Sequence, residues 1–152
     1  MAASVVSTSA QFGFDDRNIR WFPFGDFKNF VFAMLDVDPN RHLVDLILKF
    51  EPNQKIFLHS HLALTNTLVV QGEHRLYEPN GVLKEIRRVG SYTSSPPGEA
   101  HREGGGDEGA VVFYSLRADG DDLFDVYDDN LNVVGKLTIK DFADALAAQK
   151  SA

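Results

Sequence analysis

Turn residues break the chain into short apolar runs roughly every 8–12 positions, and this rhythm constrains the fold more than any other feature. Residues 30–37 end at Asp38-Pro39-Asn40, 42–50 at Glu51-Pro52-Asn53, 67–77 at Pro79-Asn80-Gly81 and 82–89 at Gly90. Residues 110–117 run into Asp119-Gly120-Asp121-Asp122, while 123–127 and 132–137 flank Asp128-Asp129-Asn130 like the arms of a hairpin. The runs are rich in Val, Ile, Phe, Tyr and Leu, which suit a pleated, half-buried surface. So many short strands predict an all-β sandwich or barrel. One helix is expected, at the C-terminal end. Thr138 is its N-cap, Asp141 complements the cap, and Ile139, Phe142, Ala143 and Leu146 follow helical spacing. Residues 1–13 read as a flexible N-terminal arm and 14–152 as a single domain.

Composition narrows the chemistry. The 152 residues include no cysteine, which excludes thiol catalysis, Fe–S clusters, Cys-type zinc sites and disulfides. A chain this long buries roughly 70% of its unfolded surface, so it needs no staple to fold. Its 12 Phe supply a core. A net charge of −7 is a poor match to a phosphate backbone, so nucleic acid is not an expected partner. No basic, apolar leader opens the chain and no run of 18 apolar residues occurs, so a cytoplasmic protein without a membrane partner is expected.

Among the five histidines, His59 and His61 are separated by one residue. On a strand, positions i and i+2 share a face, which sets two imidazoles side by side within reach of one ion. Asn53, able to take a left-handed conformation, precedes the pair in a bend. Gly90, Pro96, Gly98 and His101 then follow in the spacing G-x5-P-x-G-x2-H, which places a third histidine after a turn. These residues resemble the two motifs of the cupin family, G-x5-H-x-H-x3–4-E-x5–6-G and G-x5-P-x-G-x2-H-x3-N. The second motif matches at every fixed position up to its histidine. Three positions depart: Asn53 replaces the opening Gly, Asn66 (or Thr65 under the shorter spacing) stands where the Glu belongs, and Gly105 replaces the final Asn.

The resemblance implies a jelly-roll β-barrel, here with the C-terminal helix, and a metal held by His59, His61 and His101. Arg20-Trp21-Phe22-Pro23, the missing Glu and the tail from Tyr127 to the helix are similar to the acetylacetone-cleaving and dihydroxyacetophenone-dioxygenase group of cupins. That group implies an Fe(II) dioxygenase that breaks a carbon–carbon bond of a β-diketone or hydroxyketone with O2. Three neutral imidazoles leave the full +2 charge on the ion, which favours an anionic chelating enolate. Zn or Ni in the same site, or a non-catalytic sensor that binds a metal or ligand, are the alternatives.

The other candidates are weaker. Asn66 and Glu99 are expected beside the ligands, and Phe57 shares strand parity with His59 and can line the pocket. His42 and His74 read as structural or surface residues, the aspartates of 119–129 as a solvated face, and Gly104-Gly105-Gly106 as a mobile loop. A homodimer or homotetramer is expected, with a second subunit covering sheet edges and the aromatic segment Trp21-Phe22-Pro23-Phe24.

Overall fold

The computed structural model describes residues 2–6 and 12–152; residues 1 and 7–11, part of the expected arm, lie outside the described residues. Among the described residues nine strands precede one helix: β1 (Phe30–Asp38), β2 (Leu43–Phe50), β3 (His59–His61), β4 (Leu64–Tyr77), β5 (Leu83–Arg88), β6 (Tyr92–Ser95), β7 (Arg102–Arg117), β8 (Asp122–Tyr127), β9 (Val133–Thr138) and α1 (Ile139–Ser151). One sheet runs β1-β2-β7-β4-β5 with β6 on β4, and the other runs β3-β8-β9. Among the described residues no helix is long and apolar enough to cross a membrane.

Inward-facing residues of both sheets meet in one core. Phe32, Met34, Val44, Leu46, Val112 and Leu116 of the larger sheet join Leu123 of β8 and Phe142 of α1, all buried. The all-β jelly roll with a C-terminal helix is therefore the fold. Thr138 and Asp141 form a reciprocal capping box at the start of α1. Near the other end, the Gln149 amide donates to Met34 O and accepts from Met34 N, both at 2.9 Å. It thereby satisfies the backbone of β1 where a bulge between Met34 and Asp36 interrupts pairing.

One expectation changes. Gly104, Gly105 and Gly106 are no loop but a buried part of β7. The reason is crowding: a Cβ on Gly104 would lie 2.0 Å from the backbone oxygen of Gln54, and one on Gly105 2.6 Å from Gly109 Cα. Glycine here marks close backbone approach rather than freedom. The aromatic segment also packs on its own chain. Phe22 exchanges backbone hydrogen bonds with Phe32 at 2.8 and 2.9 Å, and the Phe24 ring lies edge-on to Phe32 and Phe142.

Candidate metal centre

The strand β3 is only three residues long, His59-Ser60-His61, paired with Val126-Asp125-Phe124 of β8. Alternation turns both imidazoles inward and Ser60 away. The bend before it works as the spacing requires, because Asn53 adopts φ 57, a left-handed conformation that asparagine tolerates. The turn through Pro96 and Gly98 is tied to β3 by Gly98 N donating to His61 O at 3.2 Å. His101 then bridges His59 through two backbone hydrogen bonds, of 3.1 and 2.9 Å. His-x-His on β3 thus faces His101-x-Glu103 at the start of β7.

Four side chains converge. His59, His61, His101 and Glu103 each offer one donor atom, all within 4.8 Å of one another. The Nε2 atoms of His59 and His61 are 3.2 Å apart, and Glu103 Oε2 lies 2.7, 3.3 and 3.3 Å from the Nε2 atoms of His59, His61 and His101. His59, His61 and Glu103 are buried and His101 is half-buried.

The outer nitrogens decide what this cluster wants. His59 Nδ1 donates to Phe57 O at 2.9 Å and His101 Nδ1 to Glu99 O at 3.2 Å; both partners are carbonyls that only accept. His61 Nδ1 lies 2.9 Å from Thr65 Oγ1, whose own proton goes to Ala63 O at 3.0 Å, so His61 also donates. Neutral imidazoles therefore turn three Nε2 lone pairs, with a carboxylate oxygen, onto one point. Four acceptors so close repel unless a cation sits among them. The donor set and the fixed tautomers fit a divalent metal.

Without an ion, the same atoms compete for protons. Burial pushes His61 down to about 4 against the pull of Glu103, so it is neutral at pH 7. Burial works to raise the Glu103 carboxyl, yet in the ion-free cluster the close imidazoles of His101, His59, His61 and His74 hold it well below the ordinary range. On half-buried His101, burial is outweighed by the hydrogen bond and charge of Glu103, and its pKa rises. Behind Glu103, its second oxygen accepts from Tyr114 Oη at 2.6 Å and from His74 Nε2 at 2.8 Å. Burial and the neighbouring carboxylate push the Tyr114 phenol well above its usual range, so it remains a donor.

The structure thus brings His59, His61 and His101 together and adds Glu103, which the sequence reading missed. The signal was present. His101-x-Glu103 has the same one-residue spacing as His59-x-His61, but it adjoins the glycines read as a loop. Asn66 is not beside the ligands; Thr65 and Thr67 face the site, and Asn66 on the alternate face has a buried Oδ1 without a partner among the described residues. Glu99 serves through its backbone carbonyl, while its side chain is exposed. Phe57 holds His59 by its carbonyl, and its ring lies 5.0 Å from the His59 ring. His74 is wholly buried and belongs to the network, whereas His42 lies at the surface near Asp121.

Fold and site together define a cupin. The sequence profile of the ChrR cupin-like domain family matches residues 9–118, most of the chain, and the chain belongs to that family. No curated protein is significantly similar to it. Among solved structures, an RmlC-like cupin protein from Ralstonia eutropha aligns over 95% of this chain and 90% of its own, with a TM-score of 0.74 and 20% identity. An acetylacetone dioxygenase from Acinetobacter johnsonii aligns over 97% of this chain and 99% of its own, at 0.72 and 14% identity. A DMSP lyase from Ruegeria pomeroyi aligns over 66% and 56%, at 0.52 and 14% identity. Such identities establish shared fold and leave the reaction to the site.

Proposed function

We propose that the chain is a mononuclear non-haem iron dioxygenase that cleaves a carbon–carbon bond of a β-diketone or related ketone. The observation that carries this reading is the buried convergence of three imidazole lone pairs and one carboxylate at the floor of a solvent-reaching pocket. The acetylacetone dioxygenase that shares this fold over nearly the whole chain supports the substrate class. Iron, when bound, supplies a Lewis acid for the two ketone oxygens and electrons for O2 chemistry.

The chain's own residues do the rest. His59, His61, His101 and Glu103 hold the ion, and the carbonyls of Phe57 and Glu99 and the Thr65 hydroxyl keep each imidazole in the binding tautomer. Glu103 also sets the charge. A divalent ion, one carboxylate and one singly charged enolate sum to zero, which lowers the cost of enclosing them in a low-dielectric site. The net reaction balances as one β-diketone plus O2 giving one carboxylic acid and one α-dicarbonyl. The bond between the central carbon and one carbonyl breaks, and both atoms of O2 enter the products.

The test is an oxygen electrode. Anaerobically reconstituted Fe(II) protein should take up one O2 per acetylacetone or related ketone consumed. No uptake across a diketone and hydroxyketone panel, with iron bound, would refute the reading. A second reading rests on the ligand count: four protein donors saturate a tetrahedral zinc, the pattern of a closed, non-catalytic site. Tight Zn(II) binding with no turnover on any metal would support that reading instead.

A further inference from the structure

The metal centre is a partition between two cavities of opposite character. On one side lies the mouth, about 180 Å³, bordered by Thr65, Thr67, Ser95, Lys84 and Arg87. The other side holds a smaller chamber of about 50 Å³, walled by Phe24, Phe32, Leu46, Leu48, Phe124 and Phe142. His61, Glu103 and Tyr114 border both. Everything else facing the chamber is apolar except His59.

From this we infer that the chamber is a docking site for a small apolar gas, O2 in the working protein, separate from the mouth through which the ketone enters. The assignment of O2 rests on the dioxygenase reading above; the affinity for an apolar gas does not. Size and chemistry select the occupant. A void of roughly 10–15 Å³ admits a water-sized molecule, whereas an apolar cavity that accepts benzene measures about 150 Å³. At about 50 Å³ the chamber has room for a diatomic gas and none for an aromatic ring. Water would find polar partners only at the metal end, and along the rest of the wall it would give up hydrogen bonds. O2 is apolar and partitions favourably into such a space, whereas a charged enolate pays for leaving water. The mouth, whose wall carries the hydroxyls of Thr65, Thr67 and Ser95, Lys84, and Arg87 paired with Glu85, is the side on which a polar ketone or enolate keeps hydrogen bonds. The two reactants of the proposed reaction therefore reach the same ligands from opposite sides, and neither blocks the other.

Xenon tests the chamber without turnover. Crystals of the full chain under xenon pressure should show an anomalous peak among Phe32, Leu46, Phe124 and Phe142, and the peak should vanish in Leu48→Phe and Leu137→Phe, which fill the space from half-buried positions. No xenon in the chamber of the unmodified protein overturns the inference. In the iron form, both variants should raise the KM for O2 about fivefold while kcat and the ketone KM hold. A rise in the ketone KM alone would instead make the chamber a pocket for a substrate arm and overturn it. Should no ketone be consumed at all, the dioxygenase reading fails separately. Nitric oxide then serves as the diatomic probe for bound Fe(II). Slower nitrosyl formation in Leu48→Phe supports the chamber as a gas route, and an unchanged rate overturns it.

Discussion

Glu103→Gln separates a four-donor centre from one of three histidines with a spectator carboxylate. The substitution keeps size and shape but removes the negative charge and places an amide where Oε2 meets three Nε2 atoms at 2.7–3.3 Å. One amide oxygen can still accept from Tyr114 and His74, as Oε1 does now at 2.6 and 2.8 Å. The terminal NH2 then faces the metal position, and an amide nitrogen is no ligand. Removing one partner of a buried charge pair costs about 3–5 kcal/mol. If Glu103 binds the ion, metal affinity should fall by about two to three and a half orders of magnitude, at 1.4 kcal/mol per decade. Competition against a chromophoric chelator, with Fe(II) under argon and with Zn(II) in air, reads this directly. Circular dichroism of the metal-free variant checks that it folds. An affinity within threefold of the unmodified protein would refute the four-donor site and return the centre to three histidines.

Thr65→Glu should disturb metal content or ketone turnover, because Thr65 faces the site and hydrogen-bonds His61. Asn66→Glu should leave the ligand set alone and lower the melting temperature, since it buries a carboxylate on the other face of β4; iron content and thermal melts of both variants decide this. Acid should weaken the metal-free protein. His61 has a folded-state pKa of about 4 against 6.5, so its contribution, roughly 3 kcal/mol, is present above pH 6.5 and disappears as pH falls towards 4. Glu103, also depressed, loses its contribution below about 4.5, while raised His101 acts in the opposite sense above 6.5. Urea melts from pH 7 to 4 that show flat or rising stability would contradict this. Gly104→Ala should cost at least about 1–3 kcal/mol from overpacking, because the new methyl meets the Gln54 backbone and not a flexible side chain; an unchanged melting temperature would show that β7 can yield there.

The legible parts of the sequence were those where local chemistry and fold agree. Turn residues bounded β1, β2 and β5 within a residue or two, and the cap at Thr138 placed the helix start, because each rests on backbone preferences of a few adjacent residues. What escaped was set across strands. Gly104 to Gly106 look like a loop until Gln54 and Gly109 press on them, and that pressure comes from chain segments the local pattern does not contain. The displaced carboxylate escaped for the same reason. Spacing along β4 pointed to Asn66, but the strand's parity turns Thr65 and Thr67 inward, and the acid arrives from β7 beside His101. Once β3 and β7 are joined by the His59–His101 bridge, the two one-residue spacings, His-x-His and His-x-Glu, become a single inward-facing quartet. The glycines after Glu103 belong to the same arrangement. Without side chains they let β7 run close beneath the segment around Gln54, and this continuity carries Glu103, with His101 just ahead of the strand, into the sheet.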